Sequence, residues 1–362
     1  MVGVDVARGL AVLGMFGAHL LATDDLVWTD PGTWSGLVDG RSSILFAVLA
    51  GVSVALLTGR TAPPAGEALV RARLVVLTRA ALLLVAGGLV QLLTTGVYVI
   101  LEFYAVLLAL CVPLLTWSPR RLFALAAGWV AVVVPLFHQL LLPWVAAGPG
   151  GGVLGELAVT GYYPVVVWAA FVVTGLGVGR LDLTAAGTRV RLAGAGLGLA
   201  VVGYGVGPLL GVRADPAVPG FVLQEGATSW RDLVPAADQL LVADPHSGSV
   251  AEVVGSGGFA LLVLAGCLWL ADRVRPVLVP LAAVGSMPLT AYCVHLLGLA
   301  AGGDRSALTA DQRWAVYLVF AVTALVACTA WSRLVGRGPL EQVVAAVTGR
   351  AVAAGPRVRR PG

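Results

Sequence analysis

The first apolar segment of the chain carries two ionisable side chains, Arg8 and His19, eleven residues apart. In an α-helix, eleven residues return to nearly the same face after about 16 Å along the axis. Both side chains therefore point into one seam between helices, and Asp5, one turn earlier, can pair with Arg8. An imidazole in such a seam can act as a general base toward a hydroxyl or an amine. The alternative is a polar His19 that only packs between helices, with Arg8 paired to Asp5 at the membrane interface.

Further acidic, basic and aromatic groups recur at a similar depth in, or just before, other apolar segments. They are Asp39, Arg41, Glu102, His246, Tyr292 and His295. Ionisable groups at membrane depth are costly, so each is a candidate functional residue. Together they can bring a His, a carboxylate and an Arg to one outward-facing cavity, where we expect a substrate to bind. Each also has a plainer interpretation, since His246 can cap the eighth helix and Glu102 can simply pair with Arg41.

A second cluster consists of arginines alone. Its members are Arg71, Arg73, Arg79, Arg120 and Arg121. Arg71 and Arg79 are two turns apart on one helical face, with Arg73 beside them. Because guanidinium groups bind phosphates well, this patch is a predicted site for the nucleotide of an acyl-CoA. The excess of Arg in cytoplasmic loops of membrane proteins explains the same residues without a ligand.

The composition shows what kind of element must position these side chains. Of the 362 residues, 59% are hydrophobic and only 12% are charged, and the mean hydropathy is +0.93. Soluble domains are about 25% charged. Charge-poor stretches of about 20 residues span a bilayer as helices, and they differ from the alternating strands of a barrel. We therefore predict an all-α polytopic membrane helix bundle whose main partner is the lipid bilayer.

Apolar runs between charged and turn-forming clusters predict about ten transmembrane helices. They cover residues 5–22, 40–59, 74–93, 97–116, 121–141, 162–179, 190–211, 251–271, 277–300 and 313–332. These spans form one membrane domain over residues 1–340, followed by an Arg-rich tail at 341–362. The longest connection, 212–250, is rich in Pro, Gly and Asp. It can be a lid, a substrate-binding loop or a plain linker.

The distribution of arginine predicts the orientation of the bundle. With the N-terminus inside, the inner connections carry most of the Arg residues and the outer connections carry most of the Asp residues. Short cytoplasmic loops are enriched in Arg, so both termini are predicted in the cytoplasm, with the protein in the cell membrane. Arg8 then lies toward the cytoplasm and His19 toward the outer leaflet.

Several classes of function lack their sequence features. The Arg residues are scattered singly at helix ends, so we expect no nucleic-acid partner. The four cysteines lie inside apolar runs without metal-binding spacing, so we expect packing residues and no metal site. There is also no Walker loop, no HExxH and no GxSxG. ATP-driven transport, zinc proteolysis and nucleophile-elbow hydrolysis therefore lack their motifs.

The opening segment Asp5-Val-Ala-Arg8-Gly9-Leu-Ala-Val-Leu-Gly14-Met resembles that of the transmembrane acyltransferase superfamily. This superfamily includes heparan-α-glucosaminide N-acetyltransferase-like proteins, YeiB-like membrane proteins of unknown function and the acyltransferase-3 family. The Arg-x10-His spacing of Arg8 and His19 resembles the acyltransferase-3 signature, whose His is taken as catalytic. The stretch 40–53 is similar to the segment after the first loop in the heparan-type group. Segments 284–292 and 338–341 resemble the YeiB-like C-terminal pattern.

The resemblance implies transfer of an acyl group, expected to be acetyl, from cytoplasmic acyl-CoA to a hydroxyl or amine, often of a sugar. Acyl-CoA would be a co-substrate, and no tightly bound cofactor is expected. We assign catalytic roles to His19 as base, to Arg8 in orienting the helix or the acyl-CoA, and to Glu102. Arg41 and His295 would line the acceptor cavity with Glu102.

One departure from the family pattern concerns the loop before the second helix. Heparan-type enzymes carry their proposed active His there, whereas residues 30–36 contain none. Either His19 does this work, or the heparan-type activity does not carry over; a heparan substrate is not implied.

Two other functions stay open. The chain can be a small-metabolite transporter or channel whose buried charges form a permeation path, or a catalytically inactive membrane scaffold. A continuous groove from the Arg71 and Arg79 side to His19 would favour acyl transfer. Two pseudo-symmetric halves with broken helices would favour transport.

Overall fold

A computed structural model of the chain describes residues 1–21, 26–27, 29–94, 97–147, 152–214, 234–303 and 307–354. Within these residues it contains helices and no strand. The helices are α1 (Val2–Leu20), α2 (Arg41–Leu57), α3 (Gly66–Leu93), α4 (Leu101–Leu110), α5 (Pro119–Ala146), α6 (Gly152–Thr160), α7 (Val165–Gly179), α8 (Ala186–Leu209), α9 (Val250–Arg273), α10 (Arg275–Ser286), α11 (Pro288–Ala301), α12 (Ala310–Leu334) and α13 (Pro339–Ala354).

The prediction of an all-α polytopic bundle is confirmed, but the helices divide differently from the ten predicted spans. Seven helices in the described part of the chain are long and apolar enough to cross a membrane, or nine if each of two bent pairs is one span. The bent pairs are α6 with α7, at 57°, and α10 with α11, at 73°. The predicted span 97–116 corresponds to a shorter apolar helix, Leu101–Leu114.

Proline explains both bends. The residue before a proline is disfavoured in the helical region, and proline itself starts a helix easily. Met287 has φ −132° and ψ 54°, so α10 ends before it and α11 begins at Pro288. Pro164 immediately precedes α7 in the same way, after the extended residue Gly161. The predicted span 277–300 therefore corresponds to two helices, α10 and α11, that are bent by 73° at Met287.

Close helix packing rests on glycine at the crossing of α2 and α7. A Cβ at Gly51 would collide with the carbonyl oxygen of Val172, and one at Gly175 would collide with that of Val48. Helices in a bilayer gain little from burying apolar surface against each other, so such close backbone contact contributes much of their association. A similar contact joins α1 to α10, where Gly9 approaches Leu281 and Gly285 approaches Asp5.

The C-terminal segment is part of the bundle. Of the predicted tail at 341–362, residues up to Ala354 belong to α13, which packs on α3 and α11; 355–362 lie outside the described residues. About half of the long connection 212–250, namely residues 215–233, also lies outside them. Its remaining part contains a short 3₁₀ helix, Ala237–Leu241.

We predict that Gly175→Ala destabilises the protein by about 1–3 kcal/mol, because overpacking forces the α2 and α7 backbones apart. Thermal unfolding of the detergent-purified protein measures this effect. Gly198→Ala is the matched control, since a Cβ there meets no atom within 4 Å. Equal unfolding temperatures for the two variants would contradict the role of Gly175 in this packing.

Candidate active site

A cavity of about 440 Å³ runs through the bundle between α1, α2, α3, α4, α11 and α13. We call it the central cavity. Arg8, Arg79 and Arg337 line one part of it, the Arg end. Its middle is mainly apolar. Tyr104 and Tyr292 line the opposite part, which we call the His end because His19 lies beside it.

The Arg end carries a surplus of positive charge. Arg8 donates hydrogen bonds to Asp5 at 2.7 Å and to the Ser53 hydroxyl at 2.8 Å. The Nε of Arg79 is buried and has no hydrogen-bond partner among the described residues. The charges of Arg8 and Arg337 also repel that of Arg79. An anion between these guanidinium groups would relieve the repulsion.

Glu341 also lines the Arg end, but its carboxylate accepts hydrogen bonds from the first residues of α11. It accepts hydrogen bonds from the backbone N–H groups of Leu289 and Thr290, at 2.8 and 3.1 Å, and from the Thr290 hydroxyl at 2.6 Å. These groups form the N-terminus of α11, where a negative charge is favoured. Because Glu341 is engaged by α11 and Arg8 is paired with Asp5, it is Arg79 and Arg337 that remain available to an anionic ligand.

The predicted nucleotide patch is only partly brought together. Arg79 lines the cavity, whereas the other four side chains are exposed and do not line it: Arg71, Arg73, Arg120 and Arg121. Arg337, which is not among the predicted residues, lines the cavity instead. A usable clue was its position just before Gly338-Pro-Leu-Glu341, the segment that resembles the YeiB-like pattern.

His19 and His295 form a pair near the His end. Nδ1 of His19 lies 3.2 Å from Nε2 of His295, and the two rings stack with centroids 5.4 Å apart. One nitrogen must donate and the other accept, so the two facing atoms share one proton. The His19 ring lies 6.3 Å from that of Tyr292. His19 and His295, which were predicted to lie at a similar depth, are therefore in direct contact.

The surroundings divide the two histidines into different roles. His295 is 1% exposed, stacked on Phe16 at 3.9 Å and edge-on to Phe320 at 5.0 Å. His19 is only partly buried. His19 is therefore the more accessible member of the pair, while His295 is enclosed by aromatic rings.

A histidine–aspartate pair joins the segment before α2 to the segment before α9. Nε2 of His246 lies 3.3 Å from Asp39, and its ring lies 4.2 Å from that of Tyr162. Ser249 caps α9, because its hydroxyl accepts the Glu252 backbone N–H at 2.9 Å. Glu252 in turn accepts the His246 backbone N–H at 2.6 Å. His246 therefore pairs with Asp39, and Ser249 provides the side-chain cap.

Tyrosines surround His246. Tyr163 is buried and packs edge-on to Tyr162, with centroids 5.0 Å apart, and its ring centroid lies 5.8 Å from that of His246. Tyr163 lies at the break between α6 and α7, so the proline bend sets its position. Asp39 and His246 thus lie beside one aromatic wall.

Arg41 and Glu102 have other neighbours than the ones predicted. The Nε of Arg41 donates to the Tyr204 hydroxyl at 3.0 Å, and that hydroxyl lies 2.8 Å from the Ser256 hydroxyl. Glu102 lies against α3, where a Cβ at Gly87 would be 2.7 Å from its Cγ. The suggested Glu102–Arg41 pair is therefore wrong. Tyr204, Ser256 and Glu252 were missed, although Ser249-x-x-Glu252 is a readable capping signal.

Two family comparisons match most of the chain. The family described as "Heparan-alpha-glucosaminide N-acetyltransferase, catalytic" matches residues 1–203. The family described as "Protein of unknown function (DUF418)" matches residues 238–351. No curated protein sequence matches the chain. The first match contains Arg8, His19 and Arg79, and the second contains His295 and Arg337.

We predict that Tyr204→Phe lowers the free energy of unfolding by about 1–3 kcal/mol, because buried Arg41 and Ser256 lose a partner. The unfolding temperature of the purified protein measures this. Tyr98→Phe makes the same chemical change on a side chain that is 60% exposed, and it should leave stability unchanged. A similar loss in both variants would contradict the importance of the Arg41–Tyr204–Ser256 chain.

Proposed function

The chain belongs to the heparan-alpha-glucosaminide N-acetyltransferase catalytic family, a membrane acetyltransferase family, and on that basis we propose that it moves acetyl from acetyl-CoA to an extracytoplasmic acceptor. The observation that carries this proposal is the central cavity, with three arginines at one end and Tyr292, beside the His19–His295 pair, at the other. A phosphate-rich donor and a proton-accepting imidazole are the two requirements of acetyl transfer from a nucleotide thioester.

The donor is proposed to bind with its phosphates at the Arg end. Arg8, Arg79 and Arg337 offer several N–H donors with the geometry that phosphate oxygens accept. The rise along α1 from Arg8 to His19 is about 16 Å. The long pantetheine arm of CoA would lie in the mainly apolar middle of the cavity. Its thioester would then reach Tyr292.

His19 is the proposed base. It takes the proton from the acceptor hydroxyl or amine while the acceptor oxygen or nitrogen attacks the thioester carbonyl. The carbon–sulfur bond then breaks, and the CoA thiolate leaves and takes up a proton. His295 supports His19 by sharing a proton between the facing nitrogens, and the fixed geometry lowers the entropic part of the barrier.

The acceptor is proposed to approach from the side of Asp39, His246 and Tyr162. A polar pair beside an aromatic wall suits the hydroxyls and faces of a sugar. In the predicted orientation, the Arg end faces the cytoplasm and this side faces outward. The acetyl group would thus be carried from the cytoplasmic side across about half of the roughly 30 Å hydrocarbon core.

A small-metabolite transporter is the second candidate. The bends of 57° and 73° in two spans favour it, because many secondary transporters bind substrate at broken helices. Counterflow of labelled metabolites into liposomes containing the protein would support transport. Acetylation of an acceptor without counterflow would support the transferase.

We predict that His19→Ala lowers acetyl transfer about 10²- to 10⁴-fold, the usual contribution of a positioned general base. The assay uses the purified protein with radiolabelled acetyl-CoA and a panel of glycan and amine acceptors. Acetyl-CoA binding should persist, because His19 lies at the opposite end from the arginines. Transfer that is unchanged in His19→Ala would contradict its role as base, and absence of acetyl-CoA binding in the wild type would contradict the proposed donor.

We predict that Arg79→Gln raises the Kd for acetyl-CoA about 10- to 100-fold, since a hydrogen bond to a charged group contributes about 1.5–3 kcal/mol. Equilibrium binding to the protein in detergent measures the change. Arg71→Gln is the matched control, because Arg71 lies on the same helix but is exposed and outside the cavity. Equal weakening in both variants would indicate general electrostatic attraction instead of a site.

A further inference from the structure

A second cavity, of about 370 Å³, lies between α11 and α12. We call it the lateral groove. Only 11% of the spanning part of α12 is buried, so this helix lies at the lipid-facing edge of the bundle. The groove extends from Trp331, whose indole N–H donates to the Arg337 carbonyl, to Val319 and Gly298 beside the His end. Twelve residues of α12 correspond to about 18 Å, the scale of an extended lipid chain.

The lining shows which kind of molecule can fill the groove. Its walls are almost wholly apolar and include Val294, Phe320 and Ala324. A water molecule needs two or more polar partners, and this lining offers few. Lipid chains are as apolar as the walls, so they can enter at little cost, but they gain little from the transfer. Selection of a particular lipid must therefore come from a polar group.

His295 connects the groove to that polar group, His19. It is 1% exposed, lines the lateral groove and contacts His19, which is beside the central cavity. Phe16 and Phe320, which pack on the His295 ring, line the groove as well. The groove is thus continuous with the proposed catalytic pair. A chain lying in it would bring its headgroup to the level of His19.

We propose that the acetyl acceptor is a membrane lipid with a hydroxyl or amine headgroup, whose hydrocarbon chain lies in the lateral groove. This inference rests on the proposed function and specifies its acceptor, whose polar headgroup extends from His19 toward Asp39 and His246 while its chain lies in the lateral groove. In the transfer step, the headgroup oxygen or nitrogen forms a bond to the acetyl carbonyl carbon and the carbon–sulfur bond of acetyl-CoA breaks. The headgroup proton passes to His19 and then to the departing CoA thiolate.

The test uses a long-chain primary alcohol with a diazirine in its chain, which serves as both a photolabel and an acceptor. The purified full chain is placed in phospholipid nanodiscs, and crosslinked peptides are mapped by mass spectrometry. We expect labelling on α11 and α12, with or without acetyl-CoA. With acetyl-CoA, the alcohol should become its acetate ester.

Ala324→Phe fills the groove and should reduce both labelling and the efficiency of ester formation about tenfold, equivalent to about 1.4 kcal/mol. Ala327→Phe, at another lining position, provides a second test if the first variant does not fold. Val326→Phe is the matched control, because Val326 is 64% exposed and lies outside the groove. It should match the wild type, and the Kd for acetyl-CoA should be unchanged in all three variants.

The outcomes separate this inference from the proposed function. Acetylation of soluble sugars, together with no labelling of α11 and α12, would overturn the lipid acceptor and leave acetyl transfer intact. Equal labelling in Ala324→Phe and Val326→Phe, with both folded, would also overturn it, since the alcohol would then be only general annular lipid. Groove labelling without any acetyl-CoA binding would instead contradict the proposed function.

Discussion

The crossing of α1 and α10 sets the geometry of the whole site. Gly9 and Gly285 bring the two backbones into direct contact, at a place where any Cβ would collide with the partner helix. Because α10 joins α11 at the Met287 bend, this contact also determines where α11 begins. The start of α11 receives the Glu341 carboxylate, and its third turn carries His295 to His19. One backbone contact thus holds both the Arg end and the His end in register with α1.

Buried arginines in this bundle have two kinds of surroundings, and the difference supports the proposed donor site. Arg180 is 3% exposed and donates to the carbonyls of Thr58 and Leu115 and to the Thr58 hydroxyl, which ties α2, α7 and the end of α4 together. Such a guanidinium is largely satisfied by the fold. At the Arg end, by contrast, Arg79 and Arg337 line the same cavity, while the Glu341 carboxylate beside them caps a helix. An uncompensated charge at membrane depth costs free energy, so its presence favours a functional role such as ligand binding.

How much of this arrangement could be predicted depends on whether a feature is local. Helical periodicity places Arg8 one turn after Asp5, so their contact was predicted from four residues of sequence. The contact of Arg8 with Ser53 depends instead on how α1 packs against α2. The helix breaks at Pro164 and Pro288 were also readable, because proline acts locally. The direction in which Glu102 faces could not be predicted, because it depends on how α4 packs against α3. Arg337 was missed for the same reason: only the packing of α13 turns it toward Arg79.

The residues of the site are divided between the two segments that the families match. This division is relevant to the absence of a histidine from residues 30–36, in the loop before α2. The heparan-type match ends at residue 203, whereas the partner of His19 lies in the segment matched by the second family. The Arg end is divided in the same way, with Arg337 contributed by the second segment. Properties carried by the first match alone therefore describe only part of the cavity. A histidine from α11, held between two phenylalanines, gives His19 a proton-sharing partner that the α1 signature by itself does not contain. The pairing of these two segments, more than either family alone, is what favours chemistry at His19 in this chain.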